Sequence, residues 1–332
     1  MSRKDHESRF ASLKRDRDTW LPHWRELSES FLPWRGKALW PNQQANRGSK
    51  RNQKLINSTP RFAVRTLSSG MMAGLTSPAR PWFQLSTPDP GMKEIPGVRE
   101  WLFAVQTRML DVFAKSNFYQ GLYIGYASLA TFGTHAQVIL DDREDVIRVY
   151  PFDTGSYCLA NSPRLNVNTL YREFQMTVKQ LVETFGRERV SQQVGNLYDT
   201  KKFDEWFWVV HAILPNMDRQ PGLVDSPNMP ISSVYYERDS SNVEFLSQKG
   251  FEEEPGQYTR WEVTGEDIYG SSPAMDVLGD AKSLQLQEKR KAQAIDKHVD
   301  PPMVATPDLK NQRTSLLPGD VTYTSFSNTG GA

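Results

Sequence analysis

A single uninterrupted helical pattern dominates the sequence between Arg260 and Pro302. Gly270-Ser271 reads as a turn, Ser272 as an N-cap and Pro273 as a first helical residue whose missing N–H costs nothing there. Asp276 and Asp280 stand near the positive end of the helix dipole, and Lys289, Arg290, Lys291 and Lys297 crowd its negative half. No proline intervenes before Pro301-Pro302, so the pattern predicts one helix over 273–299, a rod of about 40 Å at 1.5 Å per residue. Its apolar stripe is thin (Ala274, Val277, Leu278, Ala281, Leu284, Ile295, Val299), and its middle, Gln285 to Lys291, is polar nearly all round. Such a helix bridges domains through solvent or packs sideways on copies of itself, unless it is an ordinary surface helix.

The remainder of the chain alternates between helical and strand periods. Residues 5–31 read as helix, kinked or divided at Pro22 and ended by Leu32-Pro33. A basic loop over 35–54 follows, carrying Arg35, Lys37, Arg47, Lys50, Arg51 and Lys54 as candidates for contact with phosphate or a partner, or simply a solvated loop. Helices are predicted over about 60–75, 96–115 and 117–131, with a short strand at Trp82–Leu85. From Thr134 the period drops to two. Ala136–Leu140 and Val146–Tyr150 form a hairpin, and with strands at about 155–160 and 167–175 they make one small antiparallel sheet. Thr177 caps a helix over Val178–Phe185 that Gly186 closes, and helix resumes over about 188–198. Residues 203–263 read as a second β-rich unit: a strand over Glu205–Leu214, a loop from Pro215 to Pro230, a hairpin of Ile231–Glu237 with Val243–Leu246, and a strand over Gln257–Val263. Beyond the rod, Met303–Ala305 and Val321–Thr324 read as short strands around a turn at 317–320. The fold class is α+β.

Charge and composition narrow the function. The formal net charge of +1 hides fifteen Lys/Arg against six Asp/Glu in residues 1–66. A near-neutral chain is unlike a sequence-specific DNA-binding domain, and it permits loose contact with a sliding duplex, because each neutralised phosphate tightens the grip. No apolar run approaches the 18 residues that a membrane span requires, so no membrane partner is expected. The first residues lack the apolar core of a secretory signal. The lone Cys158 excludes an internal disulfide framework and reads as a small buried apolar residue in a strand. There is no P-loop, H-E-x-x-H, EF-hand or G-x-S-x-G pattern, and the five histidines are scattered. Asp141 to Asp145 holds four acidic residues in five, yet neighbouring strand-end carboxylates point apart and no histidine accompanies them. No catalytic residue, metal or cofactor is expected.

Several words of the sequence, taken in order, resemble the portal proteins (head-to-tail connectors) of short-tailed bacteriophages. They are Trp20-Leu-Pro-His-Trp24 with Pro33, Ser58-Thr-Pro60, Ser77-Pro78 with Pro81-Trp82-Phe83, Arg172-Glu-Phe-Gln-Met-Thr177 with Phe185-Gly186, Arg260-Trp261, Tyr269-Gly-Ser-Ser-Pro-Ala274 and Asp300-Pro-Pro302. The resemblance covers most of the chain. It implies a non-enzymatic ring, twelve-fold in this family, at one capsid vertex, through which double-stranded DNA is packaged and ejected. The implied partners are the terminase, tail adaptor proteins, and the major capsid and scaffolding proteins. The implied setting is the virion, with assembly in the host cytoplasm. By the same resemblance residues 1–176 form a wing, 177–202 a first stem stretch, 203–265 a clip, 266–300 a second stem helix, and 301–332 a return to the wing. Portals of this kind are generally longer, so a later wing helix and any crown or barrel are expected to be missing. The stem helix then offers Gln285, Lys289, Arg290 and Lys297 as channel-lining candidates, and Glu252, Glu253 and Glu254 offer an acidic edge for a docking partner, unless they are a solvated turn. A tail adaptor and, at 141–145, a metal-dependent nuclease are the competing readings.

Overall fold

The computed structural model describes residues 1–40, 55–220, 222–223, 225–238, 240 and 244–299. The N-terminal pattern resolves into two helices, α1 (Arg3–Asp18) and α2 (Leu21–Ser30). Ser2 and Asp5 make a reciprocal capping box at the start of α1, and Pro22 falls in the first turn of α2, so the chain divides ahead of the proline. Two single 3₁₀ turns follow at Pro33–Arg35 and Lys37–Leu39. The helices α3 (Thr59–Leu75), α4 (Pro90–Lys93), α5 (Pro96–Lys115) and α6 (Phe118–Phe132) come next. The strand expected at Trp82–Leu85 does not form. Among the described residues that stretch pairs with no strand; Trp82 stacks on Phe113 and Phe118, with ring centroids 6.3 and 6.4 Å away, and its indole N–H donates to the Tyr119 hydroxyl at 3.3 Å. Aromatic burial replaces a ladder.

The strands are β1 (Thr134–Asp142), β2 (Val146–Pro151), β3 (Tyr157–Asn161), β4 (Val167–Thr177), β5 (Trp206–Pro215), β6 (Ile231–Glu237), β7 (Ser247–Phe251) and β8 (Gly256–Arg260). They form two antiparallel sheets, β2-β1-β8 and β3-β4-β5-β6-β7. This differs from the grouping expected from sequence in two ways. The first hairpin and β3-β4 are in separate sheets, and both sheets recruit strands from 203–263: β5 pairs with β4 from Leu170 opposite Ile213 to Thr177 opposite Trp206, and β8 pairs with β1. β6 pairs with β5 on one side and β7 on the other; of the strand expected at Val243–Leu246, Val243 lies outside the described residues, and the Leu246 N–H donates to the Tyr235 carbonyl at 2.8 Å. Strand pairing is decided by burial of both faces, which alternation along one strand does not specify.

Two short helices, α7 (Val178–Phe185) and α8 (Gln192–Asp199), lie between β4 and β5. Thr177 caps α7 in a capping box with Gln180, and Gly186, at φ +90°, ends it. Val178, Leu181, Val190 and Val194 bury against Val209 and Leu246. On the same sheet Phe10 of α1 packs with Cys158, Tyr171, Val210, Ala212, Val234 and Tyr236. The Arg172–Thr177 stretch has a structural role throughout. Arg172 is sandwiched between Phe152 and Phe174 at 4.2 and 4.1 Å, where burial holds its guanidinium down to about 10. Glu173 accepts from Lys14 of α1 at 3.0 Å and pairs with Arg238, tying α1 to the sheet.

The rod is interrupted once. A single turn, α9 (Pro273–Asp276), is separated by Val277 from α10 (Leu278–Val299), whose 22 residues span about 33 Å. The chain divides into two compact units, Met1–Leu284 and Gln285–Ala332; of the second, Gln285–Val299 is described and is helical. The short strands and turn expected between 303 and 324, and Arg47, Lys50, Arg51 and Lys54 of the basic loop, lie outside the described residues.

Candidate functional site

The start of the rod is held by a socket built at the end of α6. Gly133 ends that helix with φ +71°, the left-handed conformation that glycine adopts without strain. Its carbonyl accepts the Trp261 N–H at 2.9 Å. A Cβ on Gly133 would lie 2.1 Å from the Gly270 carbonyl oxygen, so two backbones touch here with no side chain between them. The Gly270 N–H donates to Thr134 Oγ1 at 2.8 Å, and the Ser271 N–H to the Glu262 carbonyl at 2.8 Å. Ser272 accepts from the Met275 N–H at 3.2 Å, as its N-cap position predicts, and donates its hydroxyl to the Thr131 carbonyl at 2.8 Å.

Tyr269 locks the socket from the other side. Its ring is buried against Trp20 and Trp24, at 5.8 and 5.1 Å between centroids, and its hydroxyl accepts the Leu159 N–H at 3.2 Å. Ala274, Leu278 and Ala281 are buried in the same core, and Lys282 pairs with Glu26 of α2 at 2.7 Å. The tryptophans near the N-terminus, the Arg260-Trp261 pair and the Tyr269–Ala274 turn, distant in sequence, thus meet at one place. Sequence reasoning missed Thr131, Gly133 and Thr134; the available signal was the glycine at which the helical period changes to the strand period.

Along α10 the apolar stripe divides. Ala274, Leu278 and Ala281 are buried and Leu284 is half-buried, whereas Val277, Ile295 and Val299 are exposed, as is Leu286 outside the stripe. Among the channel candidates, Lys289, Arg290 and Lys297 are exposed and Gln285 is half-buried. At about 100° per residue Gln285 and Lys289 lie about 40° apart and Arg290 and Lys297 about 20° apart, the four covering an arc of about 140°. From Gln285 to Val299 the helix carries four basic and two acidic side chains.

The acidic candidates sit in the turn between β7 and β8. Glu252 and Glu253 are exposed. Glu254 is committed locally: its Oε1 accepts from the Gly256 N–H at 3.2 Å and the Tyr258 hydroxyl at 3.0 Å, while desolvation raises its carboxyl above the usual range. Arg35, at the head of the basic loop, donates to the Ile124 carbonyl at 2.6 Å and to Ser128 Oγ at 3.2 Å, so it clamps α6 and is not available to phosphate.

The features that enzyme readings would need are structural instead. Asp142 and Asp145 flank the Arg148 guanidinium at 3.9 and 3.7 Å in the β1–β2 turn, and among the described residues no three His, Cys, Asp or Glu side chains are grouped to hold a metal ion. Cys158 is buried, which pushes its thiol up to about 12. His6, His135 and His211 are buried on neutral partners: the Tyr171 hydroxyl, Gln137 Oε1 and Ser233 Oγ. Among the described residues no helix is long and apolar enough to cross a membrane.

Residues 3–332 match the family model described as bacteriophage head to tail connecting protein. The chain belongs to this family. It is 50% identical over 315 residues to the portal protein of Salmonella phage epsilon15, and 42% identical over 316 residues to the probable portal protein of Bordetella phage BPP-1. Each match covers 95% of this chain but 56% and 57% of the relative, so the chain spans little more than half the length of these two proteins. Connector membership places the chain in a structural family, in keeping with the absence of an expected catalytic residue.

Proposed function

We propose that the chain is a portal subunit that assembles with copies of itself into a ring at one capsid vertex, through which double-stranded DNA enters and leaves. The observation that carries this reading is the 50% identity to a portal protein across 95% of the chain. The physical support is a helix whose base is held by Thr134, Thr131 and the Trp24–Tyr269 pair while its distal half is exposed and carries Lys289, Arg290, Lys291 and Lys297, as a lateral, channel-bordering helix requires. In this reading twelve copies close the ring through heterologous contacts. Gln285, Lys289, Arg290 and Lys297 border the channel and meet phosphates weakly. Terminase and later tail adaptor proteins dock on the ring, with Glu252 and Glu253 as an acidic edge, while capsid and scaffolding proteins surround it in the virion, after assembly in the host cytoplasm.

The division into wing (1–176), first stem stretch (177–202), clip (203–265), stem helix (266–300) and returning wing (301–332) belongs to the same proposal. It carries one condition. Because β5 and β8 pair with β4 and β1, a clip made from 203–265 is an extension of the sheets before it and not a separately folding insert.

The test is electron microscopy of the purified chain with its mass from light scattering. A ring of about twelve subunits around a duplex-wide hole supports the proposal. A monomer that binds rings made by another protein would replace it with the adaptor reading. Charge reversal then locates the channel face: Lys289→Glu should impair DNA packaging if the Gln285 side lines the channel, and Arg290→Glu if the Lys297 side does. Full packaging with both reversed would remove these residues from the channel.

A further inference from the structure

Helix α1 packs on the five-stranded sheet, but little apolar surface holds it there. Of its 16 residues only Phe10, Ala11 and Leu13 are apolar, and Ala11 is exposed. Its buried side chains are Arg3, His6, Phe10 and Arg17, so Phe10 is the one apolar group among them. Phe10 stacks on Tyr171 with 5.7 Å between ring centroids. The other contacts are polar. Arg3 donates to the Glu237 and Ser240 carbonyls at 2.8 and 3.0 Å, His6 Nδ1 meets the Tyr171 hydroxyl at 3.0 Å, Lys14 pairs with Glu173, and Arg17 donates to the Gly155 carbonyl at 2.6 Å. Arg3 Nη1 and the Tyr236 hydroxyl are buried at this contact without a hydrogen-bond partner among the described residues. Hydrogen bonds of this kind return little net free energy, because water replaces them when the contact opens, whereas ordering a helix costs entropy at every residue. A helix docked by so few apolar groups belongs to the low-stability end of a fold.

The sheet beneath is held without α1. β4, β5 and β6 are paired along their lengths, and their opposite face is covered, with Leu170 and Ile213 in the core around Trp24 and Val209 against Val178 and Leu181. Thr19 and Trp20 alone connect α1 to α2. The contact also contains one group that titrates in mild acid. The His6 ring is buried among Tyr171, Tyr236 and Phe245, at 6.1, 6.5 and 5.7 Å between centroids. The charged groups nearby on its own element are the Met1 ammonium, Arg3, Asp5, Glu7 and Arg9. Tyr171 and Glu173 of β4, Tyr236 and Glu237 of β6, and Asp218 beyond β5 are those on the elements it faces. Burial holds His6 down to about 4, the Met1 ammonium and Arg9 adding to it against Asp5. Once α1 leaves the sheet, the ring is free to take a proton below its ordinary value of about 6.5.

We propose that α1 is a strap that swings off the sheet as a unit about Thr19–Trp20 while the rest of the chain stays folded, and that acid opens it through His6. The proposal does not depend on the ring reading. Cys158 is its native reporter, because the thiol is buried in the same cluster as Phe10. The full chain is reacted with 4,4′-dithiodipyridine, which takes thiols in mild acid, and each rate is divided by that of the urea-unfolded chain at the same pH. Cys158 should react through an opening about tenfold or more as frequent as global unfolding, and nearly independent of low urea, because little surface is exposed. From pH 7.5 to pH 5 the opening should become about thirtyfold more frequent, the ratio that the two His6 values set. His6→Gln should abolish that rise and His211→Gln should keep it. Arg3→Met acts at the other end of α1 from Arg17 and Gly155, and it should speed labelling about tenfold if the helix leaves as one piece. Labelling with the full urea dependence of global unfolding would overturn the strap, and it is read on the unsubstituted chain. An acid rise that survives His6→Gln would overturn the role of His6, and no effect of Arg3→Met would overturn movement as a unit.

Discussion

Replacing Gly133 by alanine tests whether the socket beneath the rod depends on backbone-to-backbone contact. The added Cβ meets the Gly270 carbonyl oxygen at 2.1 Å and the Ser271 carbonyl oxygen at 2.6 Å, neither of which can rotate away. Left-handed backbone costs an alanine about 1–2 kcal/mol, and overpacking against fixed atoms costs about 1–3 kcal/mol more, giving about 2–5 kcal/mol in total. Gly265→Ala is the control, because Gly265 has a similar φ of +60° but nothing within 4 Å of its Cβ position; it should lose only the left-handed penalty, about 1–2 kcal/mol. Equilibrium urea unfolding followed by tryptophan fluorescence measures both, and Trp20 and Trp24 beside Tyr269 report directly on the socket. If Gly133→Ala costs no more than Gly265→Ala, the close approach is not what holds the rod, and the reasoning is wrong.

Ser272→Ala removes both an N-cap and a buried hydroxyl bond to Thr131, so it should destabilise by about 2 kcal/mol in the same assay, against about 1 kcal/mol for Thr177→Ala, where only the α7 cap is lost. Stability should fall in mild acid. Burial, with the Arg172 charge nearby, holds His211 down to about 3; its ring stacks 3.8 Å from that of Tyr235. The unfolded chain therefore binds a proton below about pH 6.5 that the folded chain refuses, and stability declines as pH falls from 6.5 toward 3, by about 2 kcal/mol at pH 5 from this residue. His211→Gln should flatten the slope between pH 6.5 and 5 by about one proton, as measured by unfolding free energy against pH; an unchanged slope would refute the assignment.

Much of the local architecture was legible because its causes are local. Ser272 with Pro273, Thr177 with Gln180 and Gly186 mark helix ends by groups within four residues of each other, and the change of period at Thr134 marks the first strand. The acidic and basic candidates were legible only as charges. Nothing in the sequence showed that Glu254 is occupied by Tyr258, or that Arg35 is spent on the carbonyl of Ile124. Trp82 illustrates the same limit, since its β-like neighbours are overruled by aromatic burial against α5 and α6.

By itself the sequence determined the α+β class, most helix boundaries, the long polar rod and, through words spread along the chain, the connector family. The tertiary structure decided which strands share a sheet, that the rod breaks at Val277, and that Trp20, Trp24, Gly133 and Tyr269 converge on its base. The physical reason is range: propensity, capping and periodicity act over a few residues, whereas strand partners and backbone contact depend on what the rest of the chain can bury.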